Sequence, residues 1–300
     1  MLIVKYRKIF FVIAGALALL AVGSVLFFGL NFGVDFTGGT LIEARYESER
    51  PSKLSVENTL VNMDIVGASV RPSEEDSFII RTGVLSGEQR SFLEGALSQN
   101  GEIIVSIERF TEIGPTIGQE LRNKALIALL LVVLAIIVYI AIVFRKVSQP
   151  VSSWMYGLIA VVALLFDTLV PVGVFALLGH FFGAQIDTLF VMALLAILGY
   201  SVNDTIVVFD RVRENLRRNM ERGRKEEFSL TVGRSLNQTY VRSINTSVTT
   251  LFVLVALFFL GPEATQDFAL VLMVGVIAGT YSSLALATPL LVAIERRVKK

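Results

Sequence analysis

Three carboxylates stand inside long apolar runs of this chain: Asp167 in Ala163-Leu164-Leu165-Phe166-Asp167-Thr168, Asp204 in Leu198-Gly199-Tyr200-Ser201-Val202-Asn203-Asp204-Thr205, and Asp210 in Phe209-Asp210-Arg211-Val212-Arg213-Glu214. An ionisable side chain in hydrocarbon costs about 2.5–3.5 kcal/mol on insertion scales, so a carboxyl kept there faces a bundle interior or a water path. Taking up and releasing a proton is the chemistry such a group can do. At about 100° per residue, Tyr200, Asp204, Val207, Val208 and Arg211 share one side of a helix, and Gly199, Asn203, Ile206 and Asp210 share the neighbouring side. A polar stripe therefore runs down a helix whose other faces are apolar. Counted from Ile186 at about 1.5 Å per residue, Asp204 lies about 27 Å along, inside the bilayer, and Asp210 lies at or past the interface.

Each carboxylate has a bland reading and a functional one. Asp210 is followed at once by Arg211, Arg213 and Glu214, so it reads either as a solvated interfacial ion pair or as part of a relay. Asp204 lacks an adjacent cation. Its candidate counter-charge is Arg242, which enters the next apolar run at a matching depth in Val241-Arg242-Ser243-Ile244-Asn245-Thr246-Ser247. Such a pair would form when Asp204 is ionised and break on protonation; alternatively Arg242 is one more basic anchor at a membrane surface. Asp167 precedes Pro171 by four residues, so its carbonyl loses a backbone donor, and its carboxyl is either a relay member or a structural polar contact. Asp187, at the outer mouth of the fourth span, reads as a solvated helix-end acid, and His180, at the outer end of the third, reads as an interfacial residue.

The elements that must hold these groups follow from composition. Hydrophobic residues make up 54% of 300, charged residues 18%, and mean hydropathy is +0.68. That is too apolar for an ordinary soluble domain. Apolar windows of about 20 residues predict six helices: Ile9–Leu30, Ala125–Phe144, Trp154–Gly179, Ile186–Asp210, Asn245–Gly261 and Phe268–Ile294. The first resembles a signal peptide, but its length suits a full span and it is read as an anchor. The absence of Cys and the single His exclude disulfides, thiolate chemistry and a His metal cluster. A metal and a cofactor are not expected, and an enzyme is the least favoured class.

Basic residues set the predicted orientation. Lys5, Arg7 and Lys8, then Arg145 and Lys146, nine Lys or Arg between Arg211 and Arg242, and Arg296, Arg297, Lys299 and Lys300 mark four cytoplasmic segments, while His180–Gln185 and Gly261–Asp267 contain none. Both termini are then cytoplasmic. Arg222, Arg224 and Lys225 are explained by this topology and by anionic lipid, with no nucleic acid required.

The expected domains are residues 1–30 as terminus and first span, 31–122 as an extracytoplasmic domain, and 123–300 as the other five spans with a cytoplasmic loop 211–242 and a basic tail. Residues 31–120 hold fifteen acidic against seven basic residues. Strands are predicted at Thr40–Tyr46, Ala68–Arg71, Phe78–Arg81 and Glu102–Arg109, with helices from Ser52 to Met63 or Asp64 and from Gly87 to Asn100. The order βαββαβ predicts a small α+β ferredoxin-like sandwich. In the last span Gly275, Gly279 and Ser283 form a small-residue ladder, read as helix packing.

Gly33-Val34-Asp35-Phe36-Thr37-Gly38-Gly39-Thr40, together with Gly199 to Asn215, Arg234 to Thr239 and Arg242 to Ser247, closely resembles the SecF family of bacterial protein-translocase subunits. The resemblance covers the whole chain. It implies half of a resistance-nodulation-division-like bundle, six of twelve helices, completed by SecD in the bacterial cytoplasmic membrane. It also implies a role beside SecYEG and SecA, with YajC and YidC as further partners, in which the proton gradient promotes translocation and release of unfolded preprotein. By motif, Asp204 matches the proton-carrying aspartate and Arg242 its arginine, with Asn203, Asp210 and Asp167 as further relay candidates. Gly33, Asp35, Phe36, Gly38 and Gly39 match the glycine motif, where Gly38 and Gly39 are either a hinge or a rigid turn. Proton binding at Asp204 is expected to shift helix packing and move the outer domain. Two other readings stay open: a half-transporter for small molecules or lipids, and a passive scaffold of the translocon.

Overall fold

The computed structural model describes residues 2–47, 50–65, 68–73, 75–98, 101, 103–143, 151–224, 226–262 and 265–298. Arg145, Lys146, Lys225, Lys299 and Lys300, and the expected element ends at Asn100, Glu102 and Phe144, lie outside the described residues. The chain forms two compact units, one of residues 1–31, 127–185 and 189–300, the other of residues 32–126 and 186–188.

Among the described residues six helical segments are long and apolar enough to cross a membrane. After a short α1 (Leu2–Lys5), they are α2 (Arg7–Phe28), α6 (Pro115–Val143), α7 (Ser153–Phe182), α8 (Thr188–Glu221), α9 (Phe228–Leu260), and a broken last span of α10 (Gln266–Tyr281), a π-helical turn over Ser282–Ala287, and α11 (Thr288–Val298). A π turn inside an α-helix often marks a functional position. α7 carries Pro171 in its interior and stops at Gly183, whose φ of 66° closes the helix in the left-handed region.

The helices outrun the apolar windows, most clearly across residues 211–242. Helix α8 continues to Glu221 and α9 starts at Phe228, so most of that stretch is helical. Charged residues extend α8 because they pair along one face: Arg218 meets Glu214 at 2.6 Å and Arg217 meets Glu221 at 2.8 Å, both i,i+4. Apolar length reports only the lipid-embedded part of a helix. In the core of this unit, Tyr156 and Phe209 meet edge to face at 5.3 Å, with Val208, Val212, Leu236 and Leu291 buried in the same cluster.

The smaller unit is a four-stranded antiparallel sheet of β1 (Gly39–Tyr46), β2 (Ser69–Ser73), β3 (Ser77–Thr82) and β4 (Val105–Ile113), in the order β2-β3-β1-β4. With α4 (Lys53–Asn62) and α5 (Gly87–Leu97) the connectivity is ferredoxin-like. Alternation decides which face is covered: Ile42, Ala44 and Tyr46 of β1 and Phe78 and Ile80 of β3 are buried with Val56 and Leu60 of α4 and Leu93 and Leu97 of α5. Ser52 caps α4 by accepting from the Ser55 amide, and Ser86 and Gln89 close a reciprocal capping box on α5. β4 runs later than expected and β2 extends through Pro72 to Ser73, an edge strand on which proline is tolerated. A one-turn helix, α3 (Val34–Thr37), precedes β1.

Candidate functional site

Asp204 sits half-buried on α8 with both carboxylate oxygens occupied. Ser243 of α9 donates to Oδ1 at 2.6 Å, and Ser283, in the π turn of the last span, donates to Oδ2 at 2.9 Å. Both serines are at most 1% exposed. The carboxyl therefore joins three spans. Next to it a second set of hydroxyls runs between the same elements: Tyr200 donates to Ser247 at 3.2 Å, Ser247 and Thr280 lie 2.6 Å apart, and Ser247 donates to the Ser243 carbonyl at 2.9 Å. Buried polar groups in an apolar surround remain affordable only when bonded in this manner.

Asp167 of α7 is fully buried, and Ser201 of α8 donates to its Oδ2. Its Oδ1 is buried as well. Ser201 and Asp204 stand three apart on α8, so one face of this helix addresses both carboxyls. Gly279 brings the last span close to this point: a Cβ there would lie 3.1 Å from the Ser201 side chain.

The structure does not form the expected ion pair between Asp204 and Arg242. Arg242 is exposed and makes no ion pair among the described residues. Helical geometry gives the reason, since successive residues point about 100° apart and Ser243, not Arg242, is turned toward α8. Asn203 is exposed. Asp210 is exposed and pairs with Arg213 at 3.1 Å, the local interfacial arrangement. Of the five relay candidates, then, Asp204 and Asp167 lie in the buried hydroxyl network, while Asn203, Asp210 and Arg242 do not.

Apolar patterning alone does not mark Ser243, Ser283 or Ser201 as partners of the carboxyls. Ser283 is the third rung of the Gly275-Gly279-Ser283 ladder, and that ladder packs, with Gly275 against Ile197. Its hydroxyl has a second use that small size conceals. The available signal was a serine in phase with two glycines on a span facing a helix that carries a carboxylate.

In the smaller unit the residues from Gly33 to Gly39 form a close-packed turn. Gly38 and Gly39 have φ of 77° and 138°, where L side chains are strained. A Cβ on Gly38 would lie 2.7 Å from the Pro115 Cα, and one on Gly118 would lie 2.8 Å from the Gly38 nitrogen. Phe36 is 5% exposed, edge-on to Phe32 at 6.3 Å. Asp35 accepts from both the amide and the hydroxyl of Thr188, at 3.0 and 2.6 Å. Among the described residues no group of three or more His, Asp or Glu is placed to hold a metal ion.

Comparison with known proteins gives one consistent picture. The family described as protein export membrane protein SecD/SecF, C-terminal, matches residues 94–297, and the SecD/SecF GG motif matches residues 23–49. The chain is 39% identical to protein translocase subunit SecF of Thermobaculum terrenum, covering 98% of this chain and 94% of that one. It is 36% identical to protein translocase subunit SecDF of Thermus thermophilus, covering 94% of this chain but 37% of the longer protein. The crystal structure of SecDF, a translocon-associated membrane protein, from that organism superposes with a TM-score of 0.85 at 33% identity, over 98% of this chain and 38% of the other.

Proposed function

The chain belongs to the SecD/SecF protein-export family, and from that premise we propose that it is a translocase subunit in which Asp204 takes up and releases protons to drive preprotein movement. One observation carries this reading: Asp204, on the polar stripe of a largely apolar span, has its two oxygens divided between serines of two other spans. An ionised carboxylate accepts from both hydroxyls, whereas a protonated one must donate through one oxygen. Protonation therefore reverses one of these bonds: that serine accepts from the carboxyl and must send its own hydrogen to another acceptor. Ser283 has another acceptor in the Thr280 carbonyl at 3.1 Å, so the bond to the last span is the one that reverses. Arg242, next to Ser243 in the chain, is the cation proposed for this relay. Asp167 with Ser201 forms a second buried carboxyl in the same relay, with Asn203 and Asp210 leading toward water.

SecD is the proposed partner, because this chain corresponds to little more than a third of a SecDF polypeptide. SecYEG and SecA, with YajC and YidC, complete the assembly, and the work done is transport of preprotein, not covalent catalysis. The membrane is the bacterial cytoplasmic one. Lys5, Arg7 and Lys8 and the basic residues between Arg211 and Arg242 support a cytoplasmic side for both termini and the α8–α9 connection, with the ferredoxin-like unit outside.

Replacing Asp204 with Asn keeps the size and a hydrogen-bonding oxygen but removes the exchangeable proton. The complex of D204N with SecD is expected to assemble normally and to lose the part of preprotein export that depends on the proton gradient. Export at the parent level in that variant would refute the reading.

A further inference from the structure

The residues that hold the start of α8 are not those of α8 alone. The segment Ile186–Thr188, although more than 140 positions away in sequence from the Gly33–Gly39 turn, belongs to the same compact unit. Phe32 and Ile186 form a parallel β-bridge, and the Gly33 amide donates to the Ile186 carbonyl at 2.8 Å. Two residues on, Asp35 receives the Thr188 amide and hydroxyl. The first amides of a helix have no acceptor within the helix and carry its positive dipole end, so an aspartate from another segment satisfies an orphan donor and its charge at once. The turn that supplies Asp35 is itself held: Gly38 packs on Pro115, Gly118 packs on Gly38, and strand β1 begins at Gly39 without an intervening residue.

We propose that Asp35 is a positioning residue that fastens the start of α8, the helix bearing Asp204, to the Gly33–Gly39 turn, so that an axial shift of α8 is passed directly into strand β1. The proposal rests on the reading of Asp204 as the proton carrier. Helix α8 is continuous from Thr188 through Asp204, and a helix transmits displacement along its axis because its hydrogen bonds resist stretching. The close packing of Gly38 and Gly39 makes the turn a rigid link in this scheme, with Asp35 as the fastening.

The test uses the full chain in complex with SecD, reconstituted with the translocase. The infrared absorbance of protonated Asp204 is first defined as the carboxyl band that D204N removes, a result that judges the proton reading by itself. D35A is expected to retain this band and its response to pH while gradient-dependent export falls about tenfold, within the range usual for coupling between sites. D35N, which keeps an acceptor oxygen for Thr188, is expected to recover most of the loss. T188V, which removes only the hydroxyl donor, is expected to lose export by less than D35A. Because the chain has no Cys, Phe32→Cys and Ile186→Cys can be joined across their β-bridge in the D35A background, and oxidation is expected to restore export. The proposal is overturned if D35A exports as the parent does, if it loses the Asp204 band together with export, or if the disulfide forms and export stays low.

Discussion

Asp204 is held by two hydroxyls, and each serine should register differently when removed. Ser283→Ala deletes the donor that has an alternative acceptor, and Ser243→Ala deletes the one that sets the distance between α8 and α9. Each change should cost about 0.5–1.5 kcal/mol of stability, the net worth of one hydrogen bond. Gradient-dependent export should fall in both, with S243A the more affected; equal, unimpaired export in the two would show that the hydroxyls only fill space. A different residue reports on the ferredoxin-like unit. Tyr46 is 1% exposed with its hydroxyl unpartnered among the described residues, and burial pushes its phenol up to about 12. The folded state favours the neutral phenol, so its contribution is intact below the unfolded value of about 10 and is lost as pH climbs toward about 12. Tyr46→Phe should remove that alkaline loss and leave stability at neutral pH unchanged or higher by about 1 kcal/mol, read by amide exchange in β1 and β3 of the full chain.

At the scale of elements, the α8–α9 hairpin is tied at its tip by Glu226. Its carboxylate accepts from Thr231 and Asn219 at 2.7 and 2.8 Å and pairs with Arg234 at 2.9 Å. The Thr231 hydroxyl, then Asn219 and Arg234, hold this carboxyl below its ordinary value against the opposing pull of desolvation. A depressed carboxylate stabilises above its unfolded value near 4.5 and ceases to do so as pH falls through the folded value. Trypsin cleavage at Arg222 and Arg224 should therefore rise several-fold in Glu226→Gln at neutral pH; unchanged cleavage would mean that the apolar face of the hairpin holds the tip by itself. The small-residue ladder gives a second element-scale test. Gly275 packs on Ile197 with no room for a Cβ, so Gly275→Val should lower thermal stability by about 1–3 kcal/mol through overpacking.

For the whole molecule, orientation is the property to test. The chain contains no Cys, so single cysteines report sidedness without background. Ser86→Cys, at the head of α5, should react with a membrane-impermeant maleimide from outside intact cells, and Arg222→Cys only after the membrane is opened. The reverse pattern would invert the topology. Long stretches of α2, α6 and α9 carry exposed Leu, Ile, Val and Phe, as expected of faces turned to lipid or to a partner half. Co-assembly with SecD should raise the thermal stability of this chain, since any ligand that binds only the folded state does so.

Much of this was written in the sequence because it depends on period and run length. Six spans follow from apolar runs of bilayer length, and the ferredoxin-like unit follows from alternating residues, capping serines and the order of elements. Asp204 and Asp167 stood out because a charge in hydrocarbon demands a reason. The helical extensions beyond Asp210 and before Asn245 were hidden, since apolarity measures lipid contact and not helix length. The choice of Ser243 over Arg242 depends on which face of α9 turns toward α8, and the bond from Asp35 to Thr188 depends on two segments meeting that share no local pattern. Sequence fixes which groups have hydrogen bonds to make; the partners are assigned only when helices settle at particular rotations and distant turns come within about 3 Å of each other.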